Sequence, residues 1–289
     1  MEPASFAYFA PTSLNEALDL LEQHGQDAKL IAGGHSLLPA MKLRLAEPST
    51  LIDLMAIPGL SGIRVDGDTL VIGALTVHAD IARSDLVRQR VPGLSDAASV
   101  IGDQQVRNRG TIGGSVAHAD PGADLPVMLT ALDATFVLTS RNGTRTVAAD
   151  DFFIDFFATA LDPLEAVTEI RVPLPPAGTG TGYAKLGNPA SGYVVISAGA
   201  LIGRGVDGRC TRAHVAVGGL AGGPWRATAT ETTLTGRQLT AQAIAAAAAV
   251  AAEGAELDDD NFASGDYKRQ LATVYAQRAI EAAVGRINA

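Results

Sequence analysis

Lys29-Leu30-Ile31-Ala32-Gly33-Gly34-His35-Ser36-Leu37-Leu38 is the stretch on which the reading of this chain turns. A short apolar run enters it, two glycines follow, and a helix-compatible segment leaves it. That order spells a strand, a tight turn and a helix start. Such a turn exposes several backbone N–H groups that have no partner of their own. Glycine lets the backbone approach a ligand closely, because no Cβ intervenes. The helix dipole favours a negative group at the same place. Two readings stand side by side at this point: a phosphate or pyrophosphate seat over residues 32–36, or a bare β-turn-α connection that uses glycine for the turn alone.

The surrounding composition narrows the class. A chain of 289 residues with 47% hydrophobic content has material for two or three cores. A formal charge of −9 argues against nucleic acid as partner, because a phosphate-backbone binder needs a basic stripe. The N-terminal Met1-Glu2-Pro3 has neither the basic nor the apolar region of a secretory signal, and no apolar run is long enough to span a bilayer. A cytoplasmic protein is expected. The single cysteine, Cys210, excludes an internal disulfide and an iron–sulfur cluster held by this chain's own thiolates. It reads as a packed small residue in a strand.

Ser13-Leu14-Asn15-Glu16 is a capping box opening a helix that Gly25 stops. Strands at 29–32 and 50–54 complete a small parallel unit over residues 1–57. A middle unit, residues 58–176, follows. Strands are expected at 63–65 and 69–73, helices at 77–82 and 95–101, and a hairpin of 134–139 with 144–147 around Asn142-Gly143. Asp124 is expected to cap a helix that carries Pro126 in its first turn. Phe152, Phe153, Phe156 and Phe157 form one apolar cluster, and 166–172 a closing strand. The Pro/Gly-rich 173–180 is a linker. A third unit, 177–289, has antiparallel strands at 183–185, 193–202 and 209–220, then helices at 240–252 and 265–284.

Several motifs fall away on inspection. Gly203-Arg204-Gly205-Val206-Asp207-Gly208 has dinucleotide spacing, but a strand rather than a helix follows it, so it reads as a hairpin. No nucleophile elbow and no P-loop are present. His118-Ala119-Asp120 lacks further ligands at metal-site spacing, and no metal site is expected. What stands out is a second glycine stretch, Thr111-Ile112-Gly113-Gly114-Ser115. Two such turns in different units can clamp a diphosphate from both sides, and Asp124 could accept from ribityl or ribose hydroxyls.

Ala32-Gly33-Gly34-His35-Ser36-Leu37-Leu38-Pro39, Thr111-Ile112-Gly113-Gly114 and Asp120-Pro121-Gly122-Ala123-Asp124-Leu125-Pro126 together resemble the FAD-binding medium subunit of molybdenum hydroxylases, in the branch that includes aerobic carbon monoxide dehydrogenases. The resemblance extends over nearly the whole chain, including Phe6-Ala7-Tyr8, Met41-Lys42-Leu43-Arg44-Leu45 and Tyr267-Lys268-Arg269. It implies an α+β chain with the PCMH or vanillyl-alcohol-oxidase type of FAD fold. There, a small α/β domain and an α+β domain hold FAD between them, ahead of a C-terminal three-stranded antiparallel sheet with a helix bundle. The implied diphosphate contacts are Ala32, Gly33, Gly34, His35, Ser36 and Leu37, with Thr111, Ile112, Gly113, Gly114 and Ser115. Asp124 falls on the ribityl side, and Lys185 and Tyr193 fall near the isoalloxazine. Ser115 stands where the family often has asparagine, and the run 187–192 departs from the charged run of the carbon monoxide branch.

The resemblance also implies a division of labour. The molybdenum-molybdopterin cofactor lies on a large subunit and two [2Fe–2S] clusters on a small one, in a dimer of heterotrimers. FAD on this chain collects electrons and passes them to quinone or NAD. No catalytic acid, base or nucleophile is then required of this chain. The implied substrate is carbon monoxide, with an aldehyde, nicotine or another N-heterocycle as alternatives. The implied location is cytoplasmic, with peripheral placement at the inner face of the membrane open. A free-standing FAD oxidoreductase, or a module binding another diphosphate, are the competing readings.

Overall fold

The computed structural model describes residues 2–287. The first unit contains β1 (Ala7–Phe9), α1 (Leu14–His24), β2 (Ala28–Ile31), α2 (Leu37–Lys42) and β3 (Thr50–Asp53). Its sheet runs β1-β3-β2, all parallel. The sequence pattern shows β2 and β3 but not β1, which is too short and too exposed for a periodicity. Ser13 accepts from the Glu16 amide at 3.2 Å, whereas the Glu16 carboxylate accepts from the Thr12 amide at 3.0 Å. The reciprocal arm of the capping box therefore lands one residue earlier than expected.

The middle unit comprises β4 (Ile63–Asp66), β5 (Thr69–Gly73), α3 (His78–Arg83), α4 (Asp85–Arg90), α5 (Pro92–Ser99), α6 (Gln104–Arg107), α7 (Ile112–His118), α8 (Asp124–Ala131), β6 (Thr135–Ser140), β7 (Gly143–Ala148), α9 (Ala149–Phe152), β8 (Phe153–Asp155), β9 (Ala158–Thr159) and β10 (Ala166–Pro173). Its sheet runs β4-β5-β10-β6-β7. The expected 95–101 helix begins earlier, at Pro92, whose fixed φ suits a first helical position. The short helices α4 and α6 are absent from the sequence reading. The phenylalanine cluster divides. Phe152 is buried and packs edge-on to Phe136 at 4.7 Å, with Phe153 beside it. Phe156 and Phe157 are exposed, against each other and against His118.

The third unit has β11 (Thr179–Gly187), β12 (Val194–Arg204), β13 (Cys210–Gly218), β14 (Trp225–Arg226), α10 (Thr228–Leu234), α11 (Ala241–Ala248) and α12 (Gly265–Gly285). The antiparallel sheet has four strands rather than the expected three, because Ala216 and Val217 pair with Arg226 and Trp225. The helix expected at 240–252 ends at Ala248 and leaves in turns towards Gly254, whose φ is +81°. Gly203 to Gly208 links β12 to β13 as a hairpin, and Cys210 is buried in β13.

The third sheet is sandwiched. Glycines at 180 and 182 leave room for the α12 backbone, where a Cβ would strike the carbonyls of Ala283 and Ala279. On the other face, a Cβ at Gly199 would lie 3.1 Å from Met128 Cα in α8. Tyr183, Leu201 and Ala216 accordingly share one buried core with the middle unit. Arginine side chains bridge the same seam. Arg226 reaches Asp133 at 2.7 Å and also pairs with Glu231, and Arg286 reaches Asp96 at 2.6 Å. Among the described residues no helix is long and apolar enough to cross a membrane.

Candidate functional site: a dinucleotide seat between two glycine stretches

The first stretch leaves the parallel sheet at the end of β2. Leu54 N donates to Ile31 O at 2.9 Å, which anchors the strand end beside β3. Gly34 then adopts φ +75°, a conformation L side chains resist. The first helical bond is Leu38 N to Gly34 O at 3.1 Å. Ser36 precedes α2 without a capping bond from its own hydroxyl. Among the described residues, the amides of Gly33, Gly34, His35, Ser36 and Leu37 donate to no backbone acceptor. Ala32 to Gly34, Ser36 and Leu37 are half-buried, and His35 is exposed.

The second stretch is built differently. Thr111 caps α7, its hydroxyl accepting from the Gly114 amide at 3.1 Å. Ile112 N donates to Thr76 O at 3.0 Å and Gly113 N to Ala74 O at 2.8 Å. These amides are committed to the protein. Gly113 is glycine because a Cβ would meet Ala74, with its Cβ 2.5 Å away and its carbonyl oxygen 2.8 Å away. The face left to solvent is carried by Gly114, exposed, and Ser115, half-buried. The two stretches look alike in sequence, but the first supplies free amides and the second a rigid, packed wall.

They also touch. A Cβ at Gly33 would strike the Arg109 carbonyl and lie 2.9 Å from Gly110 Cα. The missing side chain is what lets the first unit's turn lie against the middle unit's loop. Beneath this contact is His78, at the start of α3 and 5% exposed. Its Cδ2–Nε2 edge lies 2.9 Å from where a Gly110 Cβ would be, and its Nδ1 is buried without a hydrogen-bond partner. Burial pushes its pKa down to about 4, helped by the nearby His35 and Arg107, so the ring is neutral at ordinary pH.

Further along, Asp124 is the first residue of α8 rather than its cap, since Ala123 holds the cap position. Its carboxylate turns inward and is 4% exposed. It accepts from Lys185 Nζ at 2.8 Å and from the Tyr183 hydroxyl at 2.8 Å, both at Oδ1, and from Lys185 again at Oδ2, 3.0 Å. Lys185 also donates to Val100 O at 2.9 Å. Burial raises Asp124 to about 6, against the opposing pull of Lys185 and Tyr183. Tyr193 starts the approach to β12 and is about half exposed. It lies over Gly122, whose Cβ position is 3.1 Å from Tyr193 Cδ1, and Val194 N donates to Gly122 O at 3.0 Å. The 188–192 loop rests on Gly102.

The structure therefore joins Ala32 to Leu37 with the 109–115 loop, and joins Asp124 with Lys185. Tyr193 stands beside Pro121-Gly122, between α7 and α8. Two residues of this neighbourhood escape the sequence reading. Tyr183 is two places before Lys185, and strand alternation alone puts both on one face. His78 carries no such signal, because its burial depends on a loop more than thirty residues distant. The donor chemistry fits a dinucleotide: successive unpartnered amides, two without β-carbons, suit a diphosphate in a chain whose overall charge is negative. Among the described residues no group of His, Cys, Asp and Glu is placed to hold a metal ion.

A parallel αβ lobe and an α+β lobe meeting at a phosphate-type seat define a two-lobed FAD-binding protein with an added antiparallel domain. Residues 4–175 match the family described as the FAD binding domain in molybdopterin dehydrogenase, and residues 183–283 match the CO dehydrogenase flavoprotein C-terminal domain. The chain is 44% identical over 286 residues to the carbon monoxide dehydrogenase medium chain of Hydrogenophaga pseudoflava, covering 99% of each. It is 37% identical to the 6-hydroxypseudooxynicotine dehydrogenase complex subunit alpha of Paenarthrobacter nicotinovorans, covering 99% of this chain and 97% of the other. Its fold superposes with a TM-score of 0.95, at 46% identity and 99% coverage of each chain, on carbon monoxide dehydrogenase from H. pseudoflava lacking the Mo-pyranopterin moiety. The chain belongs to the FAD-binding medium subunits of the molybdenum hydroxylase family.

Proposed function

We propose that this chain is the electron-exit subunit of a molybdenum-containing carbon monoxide dehydrogenase. It partners a large molybdopterin subunit and a small [2Fe–2S] subunit in a dimer of heterotrimers. FAD, where bound, would supply the redox chemistry between the partner's clusters and an external acceptor, quinone or NAD. The single cysteine supports the division of labour, because the clusters need thiolates that this chain lacks. The full-length 44% identity to a carbon monoxide dehydrogenase medium chain is the observation that carries the assignment. The similarity to the 6-hydroxypseudooxynicotine dehydrogenase subunit supports an N-heterocycle substrate as the second reading.

The chain's own residues bind and orient. The free amides of Gly33 to Leu37, with Ala32 leading in, hold one side of the diphosphate. Thr111 to Ser115 form the other side, where Gly114 is exposed and Ser115 half-buried and Ile112 and Gly113 set the wall. Asp124 serves the ribityl side, and Lys185 and Tyr193 border the isoalloxazine. Units 1–57 and 58–176 are the two lobes of the FAD site, and 177–289 supplies Lys185 and Tyr193.

The test is co-purification with the products of neighbouring genes, followed by anaerobic addition of carbon monoxide. Bleaching of the flavin band in the complex, and not in the isolated chain, is expected. Bleaching of the isolated chain by substrate would refute the subunit reading. Bleaching of the complex by an N-heterocycle but not by carbon monoxide would move the assignment to the second reading.

A further inference from the structure

We propose that Tyr183 is a positioning residue of the flavin site, donating to Asp124 so that the carboxylate paired with Lys185 is held in place and its charge is partly offset. The inference rests on the reading above that Lys185 faces the flavin. Tyr183 and Lys185 are two apart on β11 and project from one face of the sheet. Both converge on the same carboxylate, at the first position of α8: Tyr183 on Oδ1 at 2.8 Å, Lys185 on Oδ1 at 2.8 Å and Oδ2 at 3.0 Å. Val100 O, 2.9 Å from Nζ, adds a third direction. The three side chains are at most 8% exposed.

The geometry is set by backbones. Gly199, paired opposite Tyr183 in the register, allows α8 to lie close to the sheet. That closeness brings Asp124 within reach of both donors. Burial and the charge of Asp124 push the Tyr183 hydroxyl well above its ordinary pKa, so it acts as a donor throughout the working range. A buried carboxylate needs its acceptor sites filled. Tyr183 fills one of them, and Lys185 reaches both oxygens as well as Val100 O. Without that hydroxyl, Lys185 is, among the described residues, the only side-chain donor left to Asp124, and more of the carboxylate's negative charge stands uncompensated beside it. Positive potential at the flavin then falls, which disfavours the added negative charge of the reduced ring.

The experiment measures the midpoint potential and FAD content of the assembled holoenzyme by anaerobic spectroelectrochemistry. Tyr183→Phe keeps the ring and removes the hydroxyl. FAD content is expected to stay within about twofold of the parent, the range expected where no diphosphate contact is lost. The potential is expected to move to more negative values. Lys185→Met moves it further the same way, and Asp124→Asn, which frees the ammonium, moves it to more positive values. Fluorinated tyrosine at position 183, a stronger donor in the same place, gives a positive shift and serves if the phenylalanine variant does not assemble. An unchanged or more positive potential in Tyr183→Phe, with Lys185→Met shifted, overturns the positioning role. An unchanged potential in Lys185→Met overturns the flavin-side reading of Lys185 itself.

Discussion

Replacing Gly33 by alanine tests the seat most directly. The new Cβ has no free volume: it would strike the Arg109 carbonyl and lie 2.7 Å from its carbon and 2.9 Å from Gly110 Cα. Carbon atoms in contact prefer about 3.5–4.0 Å, so the two stretches must part by about 1 Å. All the obstructing atoms are backbone, and none can rotate aside. Overpacking of this kind costs about 1–3 kcal/mol. If the cost falls on the closed arrangement that binds FAD, affinity drops by about 5- to 150-fold. Gly34→Ala provides the contrast. There the nearest atom is the flexible Leu38 Cδ1 at 3.0 Å, and the penalty is chiefly the left-handed backbone, about 1–2 kcal/mol. FAD titration of deflavinated protein, followed by flavin fluorescence, measures both. Thermal unfolding of the third unit, followed by Trp225 fluorescence, should change little. FAD affinity in Gly33→Ala within twofold of the parent, on the order of 0.4 kcal/mol, would refute the argument that the two stretches form one seat.

Three further outcomes are expected. His78 has a folded pKa near 4 against 6.5 unfolded, so the stability it contributes is full above 6.5 and is lost as pH falls towards 4. Between about pH 7.5 and about pH 5 the loss is about 2 kcal/mol. Denaturant unfolding should show a shallower pH slope over that window in both His78→Leu and His78→Gln, and an unchanged slope would count against a buried neutral ring. Arg226→Ala removes the cation between Glu231 and Asp133 at the seam between the middle and third units, leaving Glu231 with the Val215 amide and Asp133 with His214, with an expected cost of about 2 kcal/mol, readable as a lowered urea midpoint. Gly113→Val presses a branched side chain into Ala74 and should abolish FAD retention while the helical signal of the third unit persists on limited proteolysis. Retained flavin in that variant would show that α7 can move away from β5 without harm.

The fold was legible where local chemistry decided it. Ser13 and Gly25 bracket α1, Asn142-Gly143 turns the β6–β7 hairpin, and alternating or continuous apolar runs mark β5, β10, β12 and β13. The elements that escaped are short: β1 is held by β3 more than forty residues on, while α4 lies between α3 and α5 and β14 has only two residues to carry a pattern. The phenylalanine run shows the same limit. Composition treats four aromatic residues as one core, whereas the chain reverses at Phe157, with φ +53°, and leaves two of them outside.

By itself the sequence marked two glycine stretches as candidate phosphate turns and offered Asp124 beside them, because turns, helix starts and the lack of a Cβ are properties of a few consecutive residues; Lys185 entered only through the family resemblance. Only the tertiary structure decided how those residues divide the work. Hydrogen-bond partners at Ala74 and Thr76 occupy the second stretch's amides and leave the first stretch's free. The close approach of α8 to the third sheet at β12 turns Asp124 away from the cap it could have made and towards Tyr183 and Lys185. Packing between separate units determines which donors remain available, and no local pattern encodes that.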